Sequence, residues 1–243
     1  MSKVIGVIIA YNAAKTLENL YRRIPKDALD DLILADDGSI DETLIIATRL
    51  GIKAFTHERR YYGGNLKFGL QKALEMGGDY LFEIHGDDQY DPSAIIPALE
   101  KMRQGYDVVL GSRFTNWRQP LQDGMPLEKY LANLGLSFIA RLILRLPLTE
   151  FHTGFRGYSR RFLEKTNFEI ISDDWLPDFQ FIVLAKYLNC KISEVPVRCI
   201  YHENRLSINF WQSVIYAIQT FGVLGQYLFT KIGVMGKLFR ERQ

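Results

Sequence analysis

One acidic loop carries the residue types for chemistry: His85-Gly86-Asp87-Asp88-Gln89-Tyr90-Asp91-Pro92. It follows the apolar run Tyr80-Leu81-Phe82-Glu83-Ile84 and precedes a helical pattern from Ser93 to Met102. The loop therefore sits just past the C-terminal end of a buried strand, the edge at which open α/β sheets bind ligands. Asp87 and Gln89 alternate around Asp88, so their oxygens can face one point. Two hard oxygen donors that leave other positions open suit Mg²⁺ or Mn²⁺ held jointly with substrate phosphate. The same residues also fit an acidic turn in which Asp91 caps the next helix and Pro92 takes its first position.

Other chemistry-bearing residues recur at similar places. Asp36-Asp37 ends the run Leu32 to Ala35, and adjacent carboxylates there can accept hydrogen bonds from a base or a ribose. Ser39 with Glu42 has the spacing of a capping box for a helix from Asp41 to Leu50. Tyr62-Gly63-Gly64-Asn65 leads into a helical pattern from Asn65 to Met76, with Lys67 in its first turn. A glycine turn that feeds a helix N-terminus suits phosphate, although the spacing is neither a Walker loop nor a dinucleotide fingerprint. A plain strand–turn–helix junction reads the same way.

The elements that position these residues follow from periodicity. Val4 to Ile9 is short, continuous and β-branched, as a strand buried on both faces is. Thr16 to Arg23 reads as helix up to Pro25, Ile52 to Thr56 as a third strand, and Asp107 to Leu110 as a strand that ends in Gly111-Ser112-Arg113. Strand and helix alternate with short loops, which predicts a parallel sheet with helices on both faces. Tyr11-Asn12, Asp36-Asp37, Gly63-Gly64-Asn65, His85 to Gln89 and Arg113 then all fall at one edge.

Taken in order, these stretches resemble family 2 glycosyltransferases of the GT-A fold, near the dolichyl-phosphate mannose synthase-like branch. Residues 10–12, 35–39, 62–65, 85–92, 111–113 and 152–156 carry the resemblance, which extends from about residue 3 to 207. It implies that Ala10, Tyr11, Asn12, Asp36 and Asp37 hold the base and ribose of a nucleotide-sugar donor. Asn65, Lys67, Gly86 and Asp87 complete the nucleotide side, and Asp87 and Gln89 hold Mg²⁺ or Mn²⁺ on the diphosphate. Arg113 and Arg156 meet anionic groups of donor or acceptor, and Arg205 lies in a loop that closes over the diphosphate in relatives. Asp178 stands where relatives carry an acidic residue near the sugar, although it also suits the first turn of the helix Phe179 to Leu188.

Three positions depart from the family pattern. Ala13 stands where Glu is usual after Asn12. His85 takes the place of the first Asp of Asp-x-Asp-x-Gln, as a contact for phosphate or metal or as packing at a strand end. Lys129 and Asn133 replace an Arg-x-x-x-Ser pair that would clamp a lipid phosphate together with Arg113. They lie in an amphipathic helical stretch from Leu127 to Leu146, which fits an acceptor-side helix or an ordinary core helix.

Bulk properties set bounds. The 243 residues are 47% hydrophobic and 24% charged, and the net charge of +2 argues against a nucleic-acid partner. Cys190 and Cys199 lack metal-type spacing, which points to a reducing compartment. Residues 1–207 read as a catalytic domain and 208–243 as a helical appendage. From Phe210 to Phe229 the chain is apolar apart from polar breaks that include Gln212, Gln219 and Gln226, seven apart and so on one helical stripe. The stretch is long enough to span a bilayer. Its glutamine stripe and the following basic residues fit better a helix lying in the membrane interface, and packing on the domain or a homo-oligomer seam are the other uses. The expected protein is therefore a metal-dependent hexosyltransferase, peripheral on the cytoplasmic face of a membrane. Its acceptor would be a polyprenyl phosphate or, alternatively, a hydroxyl group. A non-catalytic nucleotide-sugar-binding protein is the third reading.

Overall fold

The computed structural model describes residues 2–201, 210–234 and 236–239. Seven strands form one sheet in the order β3-β2-β1-β4-β6-β5-β7. They are β1 (Val4–Ala10), β2 (Asp31–Asp36), β3 (Lys53–Thr56), β4 (Tyr80–His85), β5 (Val108–Ser112), β6 (Arg156–Ser159) and β7 (Ile192–Pro196). The helices are α1 (Leu17–Arg23), α2 (Thr43–Arg49), α3 (Tyr61–Glu75), α4 (Ile95–Arg103), α5 (Gln119–Gln122), α6 (Leu127–Leu144), α7 (Arg160–Leu163), α8 (Pro177–Tyr187) and α9 (Phe210–Lys231).

The sheet is mostly parallel, as expected, with one antiparallel strand. β6 runs antiparallel between β4 and β5, pairing Phe82 with Gly157 and Val109 with Gly157. The other pairings are parallel, and all seven residues of β1 are buried, as its β-branched run requires. Strand parity divides the core. Ile5, Val7, Ile9, Ile33, Ala35 and Leu81 face the layer that contains residues of α3, α6, α8 and α9. Val4, Ile8, Leu34, Phe82 and Ile84 face the layer of α1, α2 and α4. By the same parity Glu83 and His85 turn toward α3 and α8.

Local signals fix the helix ends. Ile24, before Pro25, is extended at ψ 129 and stops α1. Gly77 and Gly105 follow α3 and α4 at φ 85 and φ 90, where a side chain would be strained. Asp91 accepts from Ser93 N with Pro92 at the first helical position, as expected. Ser39 does not cap α2, which starts at Thr43. Its Oγ instead accepts from Asn12 N at 2.8 Å, and Asp41 takes the Thr43 N–H.

The 208–243 segment joins the same core. Val223, Leu224 and Tyr227 of α9 and Leu238 and Phe239 beyond it are buried with residues of α3, α6 and α8. No helix among the described residues is long and apolar enough to cross a membrane. Gln219 and Gln226 face the protein: Gln219 Nε2 donates to Asp174 Oδ2 at 2.7 Å, and Gln226 Oε1 accepts from Leu238 N at 3.3 Å.

Candidate active site

The chain order reverses direction between β1 and β4, so a crevice opens beyond their C-terminal ends. Asn65, in the first turns of α3, ties this edge together. Its Nδ2 donates to Ala10 O at 3.2 Å and Ala35 O at 2.9 Å, and its Oδ1 lies 3.0 Å from His57 Nε2. Asp36 is fully buried. Its Oδ2 accepts from Ser39 N and Thr56 Oγ1, while Oδ1 has no partner among the described residues. A buried carboxylate oxygen left unpaired is costly, so this atom is poised to accept from a ligand N–H or hydroxyl. Asp37 accepts from Arg60 N at 2.5 Å. Burial pushes its carboxyl above the usual range against the pull of Arg60 N–H, His57 and Arg59.

The first loop closes over the same edge. Asn12 is left-handed at φ 51, and its Oδ1 accepts from Ile40 N at 3.0 Å. Tyr11 accepts from Arg59 Nη1, whose guanidinium lies 4.0 Å over the Tyr11 ring. Ala13 is buried and donates its N–H to Thr43 Oγ1, so this position serves the packing of α1 against α2.

Beyond β4 the acidic loop splits its roles. Asp88, left-handed at φ 58, is buried and bonds Arg23 Nη1 at 2.6 Å and Asn19 on α1. Gly86 lets β4 approach β1, because a Cβ there would stand 2.9 Å from Ile9 O. Asp87 is half-buried. One of its oxygens accepts from Gln89 N at 3.1 Å, and neither its other oxygen nor the Gln89 side chain has a hydrogen bond among the described residues. These are open hard donors, the set that a divalent cation shared with a diphosphate needs.

The glycine pair packs closely against a distant loop. α3 starts at Tyr61, so Gly63 and Gly64 lie inside its first turn. A Cβ on Gly63 would stand 2.4 Å from Ser172 O, and Gly63 N donates to Asp173 O at 2.9 Å. Lys67 Nζ binds Ile171 O at 2.7 Å and Asp173 Oδ1 at 2.6 Å. These residues bind the 171–175 loop, which holds the exposed Trp175 stacked on Tyr62 at 5.4 Å.

Between that loop and the sheet lies a buried charge network. Glu83, 0% exposed, accepts from Tyr62 OH, from Tyr158 OH at 3.3 Å and from His85 Nε2 at 3.1 Å. Tyr62 OH also lies 2.8 Å from Asp178 Oδ2, and Arg156 Nε is 3.3 Å from Asp178 Oδ1. Arg156 is fully buried and donates Nη2 to Phe151 O and Thr153 O. Burial and then the charge of Glu83 raise Asp178 to about 7, against the pull of Arg156, His85 and Tyr62. Burial opposes the charged form of His85, but its bond to Glu83 and the charges of Glu83, Asp87 and Asp178 outweigh that and raise it to about 9.

Ligand-type atoms of Glu83, His85 and Asp178 fall within 4.8 Å of one another. Tyr62, Tyr158 and His85 surround the Glu83 carboxylate, whereas Asp178 Oδ1 has no hydrogen bond among the described residues. The trio is thus a second place for a cation beside the open oxygens of Asp87 and Gln89.

Arg113 is 7% exposed at the end of β5. Its N and Nε donate to Glu150 at 2.7 and 2.8 Å, its Nη2 also binds Glu150, and Nη1 reaches Tyr201 OH at 2.5 Å. Lys129, near the start of α6, is half-buried and makes no ion pair among the described residues. Burial and then the Arg113 charge hold its ammonium below the usual range. Asn133, one turn on, is half-buried with no hydrogen bond among the described residues. His152 Nδ1 lies 2.8 Å from Tyr216 OH of α9. Burial and the charges of Arg156 and Arg113 lower the ring to about 3, so it is neutral. Arg205 falls outside the described residues.

Glu83, Glu150 and Trp175 were not among the residues singled out from the sequence, and Tyr62 was given no role of its own. A charged residue in the middle of a strand buried on both faces was the available signal for Glu83. Glu150 and Trp175 had none, because their partners are distant in the chain.

The sheet order with its switch point between β1 and β4 is that of the GT-A fold. The family model described as Glycosyl transferase family 2 matches residues 7–166. A UDP-N-acetylglucosamine–dolichyl-phosphate N-acetylglucosaminyltransferase of Methanococcus voltae is 30% identical over 221 residues, covering 83% of this chain and 87% of its own. An uncharacterized protein of Methanocaldococcus jannaschii is 30% identical over 207 residues, covering 84% of each chain. Among solved structures, glucosyl-3-phosphoglycerate synthase from Mycobacterium tuberculosis, in complex with Mn²⁺, uridine diphosphate and phosphoglyceric acid, shares the fold. Its TM-score is 0.67 at 18% identity, covering 97% of this chain and 80% of that one. The chain belongs to glycosyl transferase family 2, on the side of its dolichyl-phosphate transferases, and is a glycosyltransferase.

Proposed function

We propose that the chain moves a hexose from a UDP- or GDP-sugar to a polyprenyl or dolichyl phosphate, with Mg²⁺ or Mn²⁺ and with inversion. The observation that carries this reading is Lys129: a half-buried ammonium without an ion-pair partner among the described residues, close enough to Arg113 to feel its charge. Two cations brought together, Lys129 from the amphipathic helix α6 and Arg113 from the end of β5, suit the phosphate of a lipid, and a curated relative is named for a dolichyl-phosphate acceptor.

In this reading Ala10, Tyr11, Asn12, Asp36 and Asp37 bind the nucleoside, Asp36 through its unpaired oxygen. Asp87 and Gln89 would hold the divalent cation, which when bound stabilises charge on the departing diphosphate. Lys129, Asn133 and Arg113 orient the acceptor phosphate. One of its oxygens attacks the anomeric carbon as the bond to the diphosphate breaks. No general base is needed, because a lipid phosphate is ionised near neutral pH. Arg156 keeps Asp178 in place beside the sugar, and Arg205 adds positive charge at the diphosphate. The two free cysteines fit a reducing, cytoplasmic-face location.

The test is radiolabel transfer from a panel of nucleotide sugars into an organic-soluble fraction, with polyprenyl phosphate and Mn²⁺. Label in the lipid phase supports the reading, and donor turnover without lipid label overturns it. A second reading, transfer to a hydroxyl, draws on Asp178, whose proton affinity near 7 matches a general base. Asp178→Asn separates the two in single-turnover assays, since only the hydroxyl reaction needs the carboxylate as a base.

A further inference from the structure

Two side chains of α9 reach the groups that hold Asp178. Tyr216 and Gln219 are three residues apart, and Thr220 and Val223, at the spacing of the same helix face, are buried. α9 packs against α8, whose first turn contains Asp178.

One path runs through His152. Tyr216 OH lies 2.8 Å from His152 Nδ1, and the His152 ring stacks on Phe179, the neighbour of Asp178, at 5.4 Å. On either side of His152, Phe151 O and Thr153 O accept from Arg156 Nη2 at 3.1 and 2.8 Å. Arg156 Nε in turn stands 3.3 Å from Asp178 Oδ1, an oxygen with no hydrogen bond among the described residues. On this side the carboxylate is therefore held by the Arg156 charge, and Arg156 by the backbone around His152. Burial and then the charge of Asp178 raise the Tyr216 phenol, so the two ends of the path lie within electrostatic reach of each other.

The other path runs through Asp174. Gln219 Nε2 donates to Asp174 Oδ2 at 2.7 Å. Asp174 Oδ1 accepts from Ser172 Oγ at 2.6 Å and from Leu176 N at 2.9 Å, which fixes the backbone just before α8 starts at Pro177. A buried polar network whose members hold one another selects a single arrangement, and here that network joins α9 to the first turn of α8.

We propose that Tyr216 and Gln219 are positioning residues: through His152 and Asp174 they brace the first turn of α8 from two sides and hold the Asp178 carboxylate against Arg156. The inference rests on the reading that places Asp178 beside the donor sugar. Neither residue need touch donor or acceptor. A misplacement of about 1 Å at a reacting site costs on the order of a hundredfold in rate, so loss of one brace with the other kept should cost about tenfold.

The experiment uses full-length Tyr216→Phe and Gln219→Met, which keep the shape of each side chain and lose its hydrogen bond. Transfer is measured well below each variant's melting temperature, with polyprenyl phosphate and the nucleotide sugar that the radiolabel panel selects. We expect kcat/KM to fall about tenfold in each. The Kd for UDP or GDP in calorimetry should stay at the wild-type value, which a general loosening of the fold would not allow. Added to Asp178→Asn, Tyr216→Phe should cost nothing further, because no carboxylate remains to be held. The Arg156 Nε–H resonance in nitrogen-15 spectra should move in both single variants. An unmoved resonance overturns the inference. So does a further loss on top of Asp178→Asn, or wild-type kcat/KM in the folded single variants where Asp178→Asn is impaired. If Asp178→Asn itself transfers like wild type, Asp178 does not serve the sugar, and the Arg156 resonance alone then decides whether the brace exists.

Discussion

Removing Glu150 should destabilise the protein far more than an ordinary surface change. Its carboxylate is 0% exposed and takes three N–H groups of Arg113, itself 7% exposed. Glu150→Ala leaves a buried guanidinium with only Tyr201 OH at 2.5 Å and His152 O at 3.4 Å as neutral acceptors. Breaking one side of a buried ion pair costs about 3–5 kcal/mol. In a domain of this size each kcal/mol lowers the melting temperature by about 2–4 °C, so the expected drop is about 6–20 °C. Glu150→Gln keeps an acceptor but loses the charge, and should fall between wild type and Ala. The double variant Arg113→Met, Glu150→Leu removes both charges and should regain most of the loss, because an apolar pair of similar volume is often neutral or better. Thermal unfolding followed by circular dichroism, with urea titrations for the free energy, measures all three. A loss below about 1 kcal/mol for Glu150→Ala would refute the reasoning, as would a double variant no better than the single one. The same set bears on function: if Arg113 also meets the acceptor phosphate, the double variant stays folded and binds donor normally while its KM for acceptor rises.

Asp87→Ala should remove metal-dependent donor binding in calorimetry with Mn²⁺ present, and unchanged affinity would sink the assignment of Asp87 and Gln89. Gly63→Ala places a methyl group 2.4 Å from Ser172 O, so the 171–175 loop must shift. The expected cost is about 1–3 kcal/mol with a matching fall in kcat/KM, and a wild-type melting temperature would contradict it. Asp123 is held below the usual carboxylate range: burial opposes its charge, but hydrogen bonds from Arg198 and Gln119 outweigh burial. A carboxyl depressed on folding contributes stability above its unfolded value, near 3.9, and loses it as pH falls through the folded value. Asp123→Asn should therefore lower the melting temperature at pH 6, with the gap to wild type closing as pH falls through the folded value; a gap that stays constant through the acid range would contradict the shift.

How much was legible in the sequence depended on whether a signal was local. β1 and β4 stood out because strands buried on both faces must be apolar along their length, and the chemistry at their ends followed from the direction of the chain. β6 showed neither its neighbours nor its antiparallel sense, because four residues, Arg-Gly-Tyr-Ser, carry no period and their partners lie on β4 and β5. Ser39 was misassigned, and the packing of Gly63 was missed, for the same reason. Glycine before a helix, and serine three residues before a glutamate, read locally as phosphate cradle and cap. Yet the atoms that need them, Ser172 O and Asn12 N, come from other segments.

His85 shows how a distant residue changes the meaning of a motif. Read alone, histidine at the first acidic position of the metal pattern removes a negative charge from the diphosphate edge. In the fold, Glu83 lies two residues earlier on the same strand and so on the same face, 3.1 Å from the ring. The carboxylate has in effect stepped back one pleat into the core, where Tyr62 and Tyr158 also donate to it. The pair keeps the strand's charge balanced while leaving Asp87 and Gln89 as the open oxygens at the edge. A Glu83→Gln variant should accordingly disturb His85 and Asp178 together without touching Asp87. Separate nuclear magnetic resonance titrations of the His85 ring in wild type and variant would show a lower proton affinity in the variant if the coupling is real, and an unmoved one if it is not.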